Sequence, residues 1–358
     1  MQTLTLRRLG AAAAAVAVLA TAAIALPAPA QAASSDRGLY GLADPTYDGV
    51  WRQSLAIIGL AGNRISPPTT AVEWLLGQQC VDGSFQAYRA DTAVPCPRSD
   101  AANYTGPDTN QTAAAAMALM ALDDSSVAMS NRLRNQVVDA AQSAVLWLQR
   151  QQLPSGGWPY FPGGSADGAS TGLALGALMT QAPSRDIPAY RKASRFLGSL
   201  SGSCATGGGI AYQAGSKPDG LTTSQALIGL VGPVPVHGPR KLAVAAPCAN
   251  TAQAKALSFV ATALKSNGTL TNSTGDAPDY ESTAASVVDL VAAREGRAAV
   301  AAGRAALASA ASTWVNGAKG VNPAAAGLML MVVDATGGRP TSFGGVNLVS
   351  ALAGSLRG

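Results

Sequence analysis

The chain has 358 residues, of which 48% are hydrophobic and only 13% charged, and its formal charge is +5. That small excess is not gathered into a basic stripe, which excludes a nucleic-acid footprint. One His and four Cys leave thin material for a catalytic metal centre, which needs about three His, Cys or carboxylate ligands.

The N-terminal residues Arg7 and Arg8 precede an apolar run from Leu9 to Leu26 and then Ala30-Gln31-Ala32, the make-up of a secretory signal cleaved after Ala32. Its removal takes away two arginines and no acid. A secreted, extracellular protein is expected, with residues 1–32 as signal peptide, residues 33–358 as a single domain and no membrane span in the mature chain. All four cysteines lie in the exported part, and an even count in an oxidising compartment favours disulfides. Three connectivities are possible. Pairing Cys80 with Cys96 and Cys204 with Cys248 is preferred, since each pair then ties a long loop to a neighbouring repeat.

Four times along the chain an Asp-x-x-x-Thr spacing opens an Ala/Leu/Met-rich stretch: Asp108 to Thr112, Asp167 to Thr171, Asp219 to Thr223 and Asp279 to Thr283. The stretches that follow, 113–122, 172–179, 225–231 and 284–293, are helical in composition and almost uncharged, so they belong inside the molecule. Between them lie helices with one polar face, 131–151, 187–200, 252–265 and 297–315, which read as an outer layer. The end units are degenerate. Helices are predicted at 53–61 with 69–79 and at 324–333 with 346–356, and Asn322 and Ala326 stand where Asp and Thr would be. A fixed period with atypical ends is the mark of a repeat array. Six inner and six outer helices with apolar ends predict an all-α fold, a closed α6/α6 toroid.

A second element follows the outer helices. Gln79-Cys80-Val81-Asp82-Gly83-Ser84-Phe85 and Gln152-Leu153-Pro154-Ser155-Gly156-Gly157-Trp158 share the pattern Gln-x-x-x-Gly-x-aromatic, with weaker copies at Gly208-Gly209-Ile210 and Gly268-Thr269-Leu270. Glycine permits the positive φ that ends a helix, and the aromatic packs back on the helix ends. These motifs predict structural clasps.

The Gln-x-x-x-Gly-x-Trp clasp resembles the repeat of the squalene cyclase and protein prenyltransferase superfamily, whose fold is an α/α toroid. The element Pro107-Asp108-Thr109-Asn110-Gln111-Thr112-Ala113 is similar to the inner-helix starts of the α-domain of cobalamin carriers such as transcobalamin and intrinsic factor. The resemblance covers essentially all of residues 33–358. For the cyclases it implies an acid motif, Asp-x-Asp-Asp, that protonates an alkene, and the sequence lacks it. The nearest candidate, Asp123-Asp124, falls in a solvated turn. For the carriers it implies a corrinoid ligand, with a separate exported lid domain or a membrane transporter supplying what this chain lacks.

Each Asp of the repeated spacing is expected at a helix N-cap, where its carboxylate accepts free backbone N–H groups. If all inner helices start on one rim, Asp108, Thr112, Asp167, Thr171, Asp219, Thr223, Asp279, Glu281 and Thr283 would ring the mouth of a central cavity and hydrogen-bond a ligand. Tyr160, Tyr212 and Tyr280 lie in loops that lead into inner helices and join that candidate rim. His237, alone in a Pro-rich loop, is expected to be exposed. No catalytic residue, no metal ligand and no certain cofactor is assigned. The primary expectation is a secreted, non-catalytic protein binding a small molecule, with a corrinoid as candidate. The alternatives are a divergent terpenoid cyclase or prenyltransferase-like enzyme, a glycan-acting toroid, and a protein-binding scaffold.

Overall fold

The computed structural model describes residues 36–232, 234–272, 275 and 277–358. The expected signal peptide lies outside the described residues. Twelve α-helices are described, in alternating order of environment: α1 (Gly49–Gly62), α2 (Thr69–Gly77), α3 (Thr109–Asp124), α4 (Asn131–Gln151), α5 (Gly168–Gln181), α6 (Pro188–Ser199), α7 (Gly220–Val231), α8 (Ala252–Asn267), α9 (Tyr280–Ala293), α10 (Arg297–Val315), α11 (Pro323–Thr336) and α12 (Leu348–Ser355). Every residue of α3 from Gln111 to Leu122 is buried. In α4, by contrast, Leu133, Val137, Ala140, Ala141, Ala144, Val145 and Leu148 are buried at the three- and four-residue spacing of a single apolar face. Hence the odd-numbered helices form the inner layer and the even-numbered ones cover it, each packing on the helix before it. The inner helices are neighbours in the order α1, α3, α5, α7, α9, α11, and α11 packs in turn on α1. Among the described residues no helix is long and apolar enough to cross a membrane.

The two repeated motifs turn out to be halves of one device. Phe85, Trp158, Ile210 and Leu270 each donate their backbone N–H to the hydroxyl of Thr112, Thr171, Thr223 and Thr283, every time at 2.9 Å. The carboxylates of Asp108, Asp167, Asp219 and Asp279 accept the backbone N–H of Gln111, Ser170, Thr222 and Ser282 at 2.7–3.0 Å. Short antiparallel pairings join the halves, Trp158 opposite Asp167, Leu270 opposite Asp279 and Phe85 opposite Asp108. Clasp Gly83 and Gly156 both have φ of +94° and face the backbone of the next outer helix. A Cβ there would lie 2.4 Å from the Ser143 carbonyl oxygen and 2.5 Å from that of Lys192. Only glycine fits on both counts. The clasp glutamines extend the link, with Gln79 Nε2 donating to the carbonyls of Gly83 and Ala140, and Gln152 Nε2 to those of Gly156 and Ala189.

The end units depart from expectation in an instructive way. The first inner helix begins at Gly49 rather than residue 53, and the residue in the threonine role is Gln53, whose Oε1 accepts the N–H of Tyr40 at 2.9 Å. Gly38-Leu39-Tyr40 is therefore a fifth clasp, with Gly38 at φ +91° against the Thr70 carbonyl. It joins the two ends of the array, for Tyr40 bridges Leu356, and the Gly38 N–H donates to the Arg357 carbonyl. Asn322 caps α11 through Ala325 N, while Ala326 has no hydroxyl to offer. Disulfides join Cys80 to Cys96 and Cys204 to Cys248, the preferred pairing.

Candidate functional site

The expected ring of hydroxyls at a rim does not form. Thr112, Thr171, Thr223 and Thr283 are fully buried because their oxygens hold the clasps. Asp108 and Asp167 are also buried at their caps, and burial pushes the carboxyl of Asp108 up to about 8 and that of Asp167 up to about 6. Tyr280 packs against Trp314 of α10, with ring centroids 5.6 Å apart. Tyr212 is exposed, with its phenol raised to about 12, chiefly by partial desolvation. Three of the twelve expected rim residues, Tyr160, Asp279 and Glu281, line a common opening.

Beneath that opening is a channel between the inner helices. All six contribute to its wall, through Leu55, Met117, Leu173, Ile228, Val288 and Met331 among others. Its volume is about 60 Å³, room for about four waters. Into this apolar wall the fold places Asp289, in the middle of α9 and 2% exposed. Its Oδ2 has no hydrogen-bond partner, and burial raises the carboxyl well above the usual carboxylate range. Burial without a neighbouring cation disfavours the charged form, so the site favours Asp289 in its neutral, protonated form.

At the top of the channel the Nε1 of Trp51 donates to Glu281 Oε1 at 3.0 Å. Glu281, in the first turn of α9, is raised by burial, with the Trp51 hydrogen bond opposing. Trp51, Glu281, Leu221 and Gln225 belong to both the channel and a wider basin above it, so this pair forms the neck between the two. The basin, about 380 Å³, is completed by Asn110, Gln111, Tyr160 and Asp279. First-turn residues of α1, α3, α7 and α9 meet there. At another part of the channel wall Val234 enters from the loop after α7. His237 of that loop is half-exposed, with Nδ1 3.6 Å from Asp334 Oδ2.

Sequence reasoning missed Asp289, Trp51 and the three carboxamides of the basin. A signal for Asp289 was present, as the sole acid in the inner stretch 284–293, and the other three stretches have none. Nothing in spacing distinguished Gln111 or Gln225 from ordinary helix formers.

No protein-family model matches the chain, and no curated protein matches it. Among solved structures it is similar to the type II terpene cyclase MstE from Scytonema in its apo form, at 14% identity over 75% of this chain and 72% of that one, with a TM-score of 0.43. A substituted form of the same cyclase in complex with geranylgeranyl dihydroxybenzoate shares 12% identity over 88% and 92%, TM-score 0.46. A protein from Actinoplanes shares 14% over 82% and 91%, TM-score 0.47. At such identities a likeness concerns fold alone.

Proposed function

We propose that residues 33–358 form an exported, single-domain α6/α6 toroid whose inner-helix channel receives the prenyl chain of a small amphiphile, and that Asp289 protonates its terminal double bond. The observation that carries this is a buried carboxyl with an unpartnered oxygen, Asp289, among the residues that line a largely apolar channel. Closure of the toroid is supported by the packing of α11 on α1 and by the clasp that joins Tyr40 to Leu356. Channel and basin together fall in the range of about 300–1,000 Å³ common for small-molecule sites. Eight residues of α9 separate Glu281 from Asp289, about 12 Å along the helix, the reach of an extended geranyl chain.

The chemistry follows from the charge state. The Asp289 O–H bond breaks, its proton adds to the less substituted carbon of the terminal alkene, and a tertiary cation remains. An inner double bond or water supplies the electron pair that quenches it, and a released proton restores the acid. Trp51 supplies the one aromatic face among the described channel residues.

A corrinoid is not supported as ligand, since a macrocycle cannot enter 60 Å³. The prenyl-chain reading calls for neither an exported lid domain nor a transporter. A second reading, holding the chain without reaction, is favoured by the same narrow bore, which fits an extended chain.

Incubation of the purified protein with geraniol, farnesol and geranylgeraniol in heavy water, followed by gas chromatography and mass spectrometry, separates these outcomes. Deuterated product that Asp289→Asn abolishes establishes proton donation. Saturable binding without product establishes the holding role, and product formed equally by Asp289→Asn contradicts the assignment of the acid.

A further inference from the structure

The basin above the neck indicates which head group the ligand carries, an inference that rests on the channel reading. Three primary carboxamides, Asn110, Gln111 and Gln225, line it. Among the described residues none of the three has a side-chain hydrogen-bond partner, and Asn110 Oδ1 and Gln111 Oε1 are buried without one. Gln111 is only 5% exposed, so water reaches it poorly. Buried acceptors left open in this way are satisfied when a donor arrives with the ligand.

Charge narrows the choice. Among the described residues no Lys, Arg or His lines the basin, whereas Asp279 and Glu281 do. Among the described residues no group of three or more His, Cys, Asp or Glu could hold a metal ion that would escort a diphosphate. Helix N-termini are the usual cation-free anion sites. Here those of α3, α7 and α9 are already occupied by the carboxylates of Asp108, Asp219 and Asp279. An anionic head would meet the Asp279 carboxylate and, among the described lining residues, no cationic side chain. An ammonium is poorly matched as well, because both oxygens of Asp279 already accept from Ser282 and burial favours the neutral form of Glu281.

We propose that the basin selects a neutral, hydroxyl-bearing head, so that the ligand is a free prenyl alcohol or phenol rather than a prenyl diphosphate. A hydroxyl donates to Gln111 Oε1 or Asn110 Oδ1 and accepts from a neighbouring carboxamide N–H.

The test is equilibrium binding of geraniol, geranyl diphosphate with and without magnesium, geranylamine and the corresponding headless hydrocarbon to the purified protein and to Gln111→Leu. Geraniol is expected to bind at least about tenfold more tightly than the diphosphate or the hydrocarbon, the worth of one good hydrogen bond. In Gln111→Leu the gap between alcohol and hydrocarbon closes. Gln225→Leu, at a less buried position, reads the same gap should Gln111→Leu fail to fold. Hydrocarbon binding together with diphosphate or amine binding as tight as that of the alcohol overturns the head-group inference and leaves the channel reading standing. Binding of none of the four, hydrocarbon included, overturns the channel reading and this inference with it.

Discussion

Thr171 is the simplest place to see how this chain converts residues into architecture. Its hydroxyl accepts the Trp158 N–H at 2.9 Å and donates to the Asp167 carbonyl at 2.5 Å, all in a site without water access. Thr171→Val keeps the shape and strands both groups, so it is expected to lower unfolding free energy by about 1–3 kcal/mol in denaturant titrations. The capping acids add a pH signature. In an unfolded chain Asp titrates near about 3.9, whereas folded Asp108 holds its proton to about 8 and Asp167 to about 6. Between those limits the folded state binds more protons than the unfolded one, so stability falls as pH rises. Thermal unfolding should therefore occur at lower temperature at pH 9 than at pH 5. Asp108→Asn, which still caps the helix, should remove much of that dependence, and an unchanged slope would contradict the shift. The capping role of these acids was legible from their spacing. Their burial was not, because it depends on clasps brought in from elsewhere in the chain.

At the scale of elements, glycines set the spacing between helices. A Cβ on Gly327 of α11 would lie 2.3 Å from the Leu55 carbonyl oxygen of α1, and one on Gly172 of α5 would lie 2.2 Å from that of Gln225 in α7. These pairs pack backbone to backbone, which is why the inner layer can be lined by Ala and Gly. The clasps use glycine for direction as well as space. Gly156→Ala forces a side chain into φ +94° and against Lys192 O, and it should cost about 2 kcal/mol or more. Gly163→Ala, at φ +88° with nothing within 4 Å, should cost only the backbone term. Calorimetry on the two variants separates them, and equal losses would show that the close approach does not matter. Most helices were readable in the sequence because the inner ones are apolar all round and the outer ones have one polar face. The first unit was misread since Gln53 performs the threonine role from a different helix position, and Gly38-Leu39-Tyr40 precedes its helix without the Gln that marks the clasps at Gly83 and Gly156.

The whole molecule is tied together at its loops and at the meeting of its ends. Cys204–Cys248 spans 44 residues of sequence and Cys80–Cys96 spans 16. On the chain-entropy model the longer closure contributes about 4 kcal/mol and the shorter about 3, so removing the pair at 204 and 248 should lower stability more, as denaturation of the two double-serine variants would show. Of the residues expected at a rim, Tyr160, Asp279 and Glu281 line the basin. The channel was missed since its key residue, Asp289, is a single acid whose meaning appears only when six helices face one another. The central claim is that this channel takes a prenyl chain with its tip at Asp289. A crystal structure of the protein with bound geraniol tests it most directly. The account predicts the chain passing the Trp51–Glu281 neck, with its terminal double bond against the Asp289 carboxyl and its hydroxyl among Asn110, Gln111 and Gln225. An empty channel with the ligand held only on the outer surface would contradict it.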